Sequence, residues 1–161
     1  MASTSVRTPS GVAYRERLSP SLWVLVAAAV CGPMAALVFA PIDTTLALVI
    51  GVAVGVAFIA LLVAGSPLVE LRDGMLGAGR AHIEVVLLGE PTALVGESAR
   101  HARGSGLDPR SWHVIRGGLD GVVVVPVLDP DDPTPTWVIS SRTPDRLAAA
   151  LRRANEKTSA G

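Results

Sequence analysis

Cysteine occurs once in the 161 residues, at Cys31, so neither an internal disulfide nor a cysteine-rich zinc site can form. Aromatic residues make up only 4% of the chain. Charged residues make up 17%, against roughly 25% in an average domain. The shortage of charge has one address. Residues 22–64 hold one ionisable acid, Asp43, and no lysine, arginine or histidine. That block excludes a wholly water-soluble protein as the leading reading. A basic surplus is missing too, because 14 Lys+Arg balance 14 Asp+Glu. Nucleic acid is held by such a surplus, so it is excluded as the expected partner.

What fills the uncharged block is apolar. Residues 22–40 and 46–64 form two runs, each close to the ~20 residues with which a helix crosses ~30 Å of hydrocarbon. The link Pro41-Ile42-Asp43-Thr44-Thr45 is so short that it forces an antiparallel hairpin. Two buried core helices are the first rival reading, and runs this long without charge speak against it. A leader ending at Cys31 is the second. It requires a small residue where Val30 stands, and the apolar run continues past Cys31.

Arg7, Arg15 and Arg17 precede the first run, Arg72 and Arg80 follow the second, and the turn carries no basic residue. Positive residues stay on the cytoplasmic side. The expectation is a two-span plasma-membrane protein with both termini in the cytoplasm and the Asp43 turn outside. Small residues recur every fourth position, at Ala28, Gly32, Ala36 and Ala40 and again at Ala47, Gly51 and Gly55. That spacing gathers them on one face of each helix, where two backbones can approach closely. Pro33 predicts a kink. Neither span contains an ionisable residue of the kind that relays protons or ions, which argues against a transporter or channel acting alone. Cys31, with no base nearby, is expected to be an inert packing group.

Residues 66–157 read as a small β-rich cytoplasmic domain, preceded by a basic segment over 1–21 and the hairpin over 22–64, and followed by a frayed tail over 158–161. Strands are expected at Leu68–Arg72 and Met75–Ala78 about an Asp73-Gly74 turn, then at 82–88, 92–95, 112–116, 122–128 and 137–140. Pro126 suggests an edge or bulge, and 98–110 a polar excursion with a helical turn. The last helix is the best punctuated. Thr143 fits an N-cap, Pro144 the first helical position and Asp145 the positive dipole end. Leu147, Ala150, Leu151 and Ala154 then form one apolar stripe. The predicted class is membrane α + β: a transmembrane hairpin followed by a small β-barrel or sandwich capped by a C-terminal helix.

Two stretches make the resemblance more specific. Residues 137–147, WVISSRTPDRL, resemble the final strand and helix start of bacterial pleckstrin-homology-like (PH-like) domains, and Leu76-Gly77-Ala78-Gly79-Arg80-Ala81 resembles their early hairpin. Tyr14-Arg15-Glu16-Arg17-Leu18 with Trp23, Ser66-Pro67, Ala78-Gly79-Arg80, Asp108-Pro109-Arg110, and residues 129–135 followed by Trp137 carry a wider likeness. Through them nearly the whole chain is similar to an uncharacterised actinobacterial family of two-span membrane proteins. The family pattern has proline where this chain has Glu84, and tyrosine where it has Thr136. The resemblance implies an architecture and a membrane location, and it implies no activity.

Residues that could carry chemistry are sparse. His82, His101 and His113 lack zinc-binding spacing. Asp129, Asp131 and Asp132 lack the glycine and glutamate that an EF-hand loop places at its sixth and twelfth positions, where Thr134 and Ser140 stand. No metal or cofactor is therefore expected. Gly104-Ser105-Gly106 is too short for a phosphate loop, and no nucleophile-elbow pattern surrounds Ser98, Ser105 or Ser111. The most suggestive stretch is 100–116, with Arg100, Arg103, Arg110 and Arg116 about Trp112 and a single acid, Asp108. It reads either as a solvated loop or as a surface for anionic head groups or a membrane or envelope protein partner. The expected role is a membrane-tethered interaction or regulatory module. An enzyme using His82, His101 or His113 with Asp108 and a structural accessory subunit are the alternatives.

Overall fold

The computed structural model describes residues 11–159. Arg7 and residues 160–161, which the sequence reading assigned to the basic segment and the tail, lie outside them. The chain divides into two compact units, one of residues 19–66 and the other of the segments on either side.

The first unit is a pair of helices, α1 (Leu22–Phe39) and α2 (Thr44–Ala64). Asp43 caps α2, its Oδ1 accepting the Leu46 backbone N–H at 2.7 Å. This satisfies one of the four donors that a helix start leaves open. The helices meet along their small residues. A Cβ on Gly32 would lie 2.8 Å from the Gly51 carbonyl oxygen, and one on Gly51 would lie 2.8 Å from the Ala36 Cβ. Ala28, Gly32, Ala47 and Gly51 are buried there. The large side chains point the other way, as with Leu37 at 71% and Leu61 at 70% exposed. Helix α1 runs on through Pro33.

The second unit is built on strands. Residues 12–17 read as part of a charged flank, yet they form β1 (Val12–Arg17), paired antiparallel with β2 (Leu68–Arg72). Strands β3 (Met75–Ala78) and β4 (Ala81–Glu84) complete an antiparallel sheet of order β1-β2-β3-β4. The turn between β2 and β3 has positive φ at both Asp73 and Gly74, 50° and 77°. That is the primed turn whose twist matches a two-residue hairpin. The second sheet has the order β5-β7-β8-β6, from β5 (Thr92–Leu94), β7 (Gly121–Pro126), β8 (Thr136–Ser141) and β6 (Trp112–Val114). Here β6 runs parallel to β8 while the other pairs are antiparallel.

The two sheets do not close into a barrel, which corrects one of the expected forms. The strand expected over 82–88 stops at Glu84, because Val85–Leu87 turn into a single 3₁₀ turn. Beyond that turn Leu88 forms an isolated bridge with Val127, at the end of β7 in the other sheet. Leu76, Ile83, Val123, Ile139 and Trp137 fill the core, and Leu147, Ala148, Ala150 and Leu151 of α4 (Pro144–Ser159) are buried in it. Short α3 (Gly96–Ala102) covers the opposite face of the second sheet, with Ala99 against Val122 and Val138.

Candidate functional site

The five residues of the 100–116 stretch are divided by the second sheet. Side chains alternate across a strand. Trp112, Val114, Trp137 and Ile139 therefore belong to the main core, while Val138, paired with His113, faces Ala99 of α3. Trp112 thus lies on one face, and the helix carrying Arg100 packs on the other. Arg103 donates to the Leu119 carbonyl. Arg110 pairs with Asp108 at 3.5 Å, and its backbone N–H also bonds that carboxylate at 2.8 Å. Those two bonds hold the Asp108 carboxyl below its ordinary value. The Arg116 backbone N–H is held by Ser140 Oγ at 3.1 Å. Arg100 is exposed on α3.

A polar knot on β1 has no counterpart in the sequence reading. Glu16 Oε2 accepts hydrogen bonds from the Tyr14 and Ser141 hydroxyls, each at 2.6 Å. Its Oε1 accepts the Arg142 backbone N–H at 2.8 Å. Thr143 Oγ1 lies 3.0 Å from the Tyr14 oxygen. Partial burial, and then the Glu16 carboxylate, raise the Tyr14 phenol above its ordinary value. Every oxygen in this knot has a partner, so it ties β1 to the end of β8 and offers no open group.

A cleft of about 380 Å³ lies where β4 and β6 end their sheets without pairing. His82, Glu84, Trp112, Trp137, Asp129 and Asp132 line it. The indoles are 6.2 Å apart and tilted by 46°. Trp112 Nε1 donates to the Ala78 carbonyl at 3.2 Å, which ties β6 to the end of β3. Asp129 and Asp132 each spend one oxygen on a backbone N–H of their own loop, at 3.0 and 2.8 Å. Sequence reasoning treated this loop as a solvated turn. Its one pointer was the Trp137 that follows it.

A family model described as "Protein of unknown function (DUF3093)" matches residues 13–151. The chain belongs to this family. No curated protein and no solved structure matches it. The DUF3093 match begins in β1 and ends in α4, so it takes in the hairpin and both sheets. Within it, two of the three histidines considered for catalysis take a local partner and the third, His82, lines the cleft. His101 Nδ1 meets Ser105 Oγ at 2.9 Å, and His113 Nδ1 donates to the Ser111 carbonyl at 3.2 Å. No hydrogen bond among the described residues joins two of them or joins one to Asp108.

Proposed function

We propose that this protein is anchored in the plasma membrane by the α1–α2 hairpin, holding the two-sheet unit as an interaction or regulatory module for a membrane or envelope complex. The observation that carries this reading is the exposure of the helices. Their apolar windows have mean hydropathies of 2.3 and 3.0, yet only 11% of each is buried. Helices that serve as the core of a soluble fold bury such surface. An exposed apolar surface of this extent fits a lipid environment. The basic residues at 15, 17, 72 and 80, with none in the 40–43 turn, support cytoplasmic termini. The order of strands followed by a packed C-terminal helix supports a PH-like descent of the two sheets, left open where a barrel would close. Tethering raises the effective concentration of such a module near membrane components, so modest affinities suffice. Arg100 and Arg110 are the members of the arginine stretch best placed to meet an anionic head group or a partner protein.

Site-directed labelling in whole cells tests the reading. In a Cys31→Ala background, Asp43→Cys should react with a membrane-impermeant maleimide, and Arg146→Cys should react only after permeabilisation. Recovery of the native chain as a monodisperse species from a detergent-free extract would overturn the anchor. Labelling of position 146 in intact cells would overturn the orientation.

A further inference from the structure

We infer that the two-sheet unit docks on anionic phospholipid head groups through Arg80 and Arg116, at its end where the chain enters and leaves the hairpin. The inference rests on the membrane anchor proposed above. Its first support is that the fold gathers arginines which the sequence scatters. Arg17 pairs with Leu68 at the last rung of the β1–β2 ladder. The Gly79 N–H bonds the Leu68 carbonyl at 3.0 Å, so the two-residue Gly79-Arg80 turn sits beside that rung. A Cβ on Gly79 would lie 3.4 Å from a Val114 methyl, which brings in the end of β6 and, two residues on, Arg116. The Arg116 N–H is fixed by Ser140 near the end of β8, and Arg142 donates to the Arg17 carbonyl at 3.1 Å. Arg17 and Arg142 are engaged in contacts of their own. Arg80 is exposed and Arg116 half-buried, and neither forms an ion pair among the described residues. Asp120 and Asp145 are exposed at the same end, and each has an arginine close by, Arg103 on the Leu119 carbonyl and Arg146 next in sequence.

The second support is that the opposite end is acidic. Pro126 pairs with Thr136 there, and Glu84, Asp129 and Asp132 line one cleft with Met75, two residues from Asp73. Arg72 and Arg110 at that end each face a neighbouring carboxylate, Asp73 at 3.4 Å and Asp108 at 3.5 Å. An anionic surface attracts one end of such a unit and repels the other. Arg110 is thereby placed for a protein partner and not for lipid. The third support is reach. Only Ser19, Pro20 and Ser21 separate Leu18 from α1, and only Gly65 and Ser66 separate α2 from Pro67. At ~3.6 Å per residue, these links span at most about 14 and 11 Å. Head groups fill roughly the first 5–8 Å outside the hydrocarbon, and the Debye length is about 8–10 Å. Lipid phosphates therefore lie within electrostatic range of this end whatever path the links take.

Fluorescence of the full-length protein in nanodiscs provides the test. In a Cys31→Ala background, a dye on Gly117→Cys, where a Cβ meets open space, reports the basic end, and a dye on exposed Asp131→Cys reports the acidic end. Nitroxides on the lipid head groups quench whichever dye approaches them. Quenching at 117 should rise when phosphatidylglycerol replaces part of the phosphatidylcholine and should fall again in high salt, while quenching at 131 stays low. Arg80→Gln and Arg116→Gln should each weaken docking about fivefold, whereas Arg153→Gln, exposed towards the far end of α4, should not. Equal quenching at 117 in neutral and anionic discs would overturn the docking and leave the anchor standing. So would quenching that persists in the Arg80→Gln/Arg116→Gln double variant. A chain that does not enter neutral discs would overturn the anchor and this inference with it.

Discussion

Glu16 is the most heavily used polar side chain in the two-sheet unit. It accepts three hydrogen bonds and faces the Arg142 guanidinium at 4.0 Å, with only 11% of its side chain exposed. Removing the acceptor takes the partner from the Arg142 backbone N–H and the shared acceptor from the Tyr14 and Ser141 hydroxyls, which keep only each other and Thr143. Glu16→Ala should therefore cost about 1–3 kcal/mol in chemical denaturation. Tyr14 sets a pH dependence in the same knot. Its folded-state value is raised, so folding favours the protonated phenol. The unfolded chain ionises near pH ~10. The stabilisation is complete below that value and is lost as pH rises through the folded one. Tyr14→Phe should flatten the alkaline fall in melting temperature while lowering stability at neutral pH. An unchanged alkaline slope would refute the assignment. None of this was legible in the sequence. Glu16 and Ser141 are 125 residues apart, and Arg15, Glu16 and Arg17 in a row look like a charged flank even though the period-two alternation of a strand runs beneath them.

At the scale of elements, patterns confined to one segment were readable and pairings between segments were not. The Leu147, Ala150, Leu151 stripe of α4 is buried as its spacing predicts, and Asp73-Gly74 makes its turn, since both depend on local geometry alone. The end of β4 depends instead on what the 85–88 segment meets, and a run of valine and leucine cannot reveal that. Trp112 shows the same limit. Its arginine neighbours in sequence suggested a surface, while the parallel pairing of β6 with β8 turned the ring inward. In the hairpin, the small-residue spacing marks the line of closest approach between α1 and α2. Gly51→Leu would drive a side chain into the Gly32 carbonyl and the Ala36 methyl. Overpacking of that kind costs about 1–3 kcal/mol. The variant should unfold earlier than the native chain in mixed micelles, whereas Val52→Leu, on an exposed position of the same helix, should not.

For the whole molecule the decisive feature is where the hairpin sits in the chain. β1 and β2 are neighbours in one sheet, and the helices are inserted between them. The ladder that pairs Arg17 with Leu68 is prolonged by a bond from the Leu18 N–H to the Pro67 carbonyl at 3.0 Å. The strands thus close against each other immediately before the chain departs into α1 and after it returns from α2. The gap left by removing residues 19–66 is one that a two-residue turn can span. The buried groups of the core, from Leu18 to Leu151, come from the flanking segments alone. Replacing residues 19–66 by Asn-Gly should accordingly leave a two-sheet protein that stays monodisperse in aqueous buffer without detergent. Its β-sheet circular dichroism should be retained and the Tyr14–Glu16–Ser141 knot should be intact by NMR. The exposed apolar surface leaves with the helices, while each core contact made by α4 remains. Aggregation of the shortened chain, or loss of its cooperative melt, would mean that the sheets draw stability from the hairpin and that the insertion is not a separable anchor.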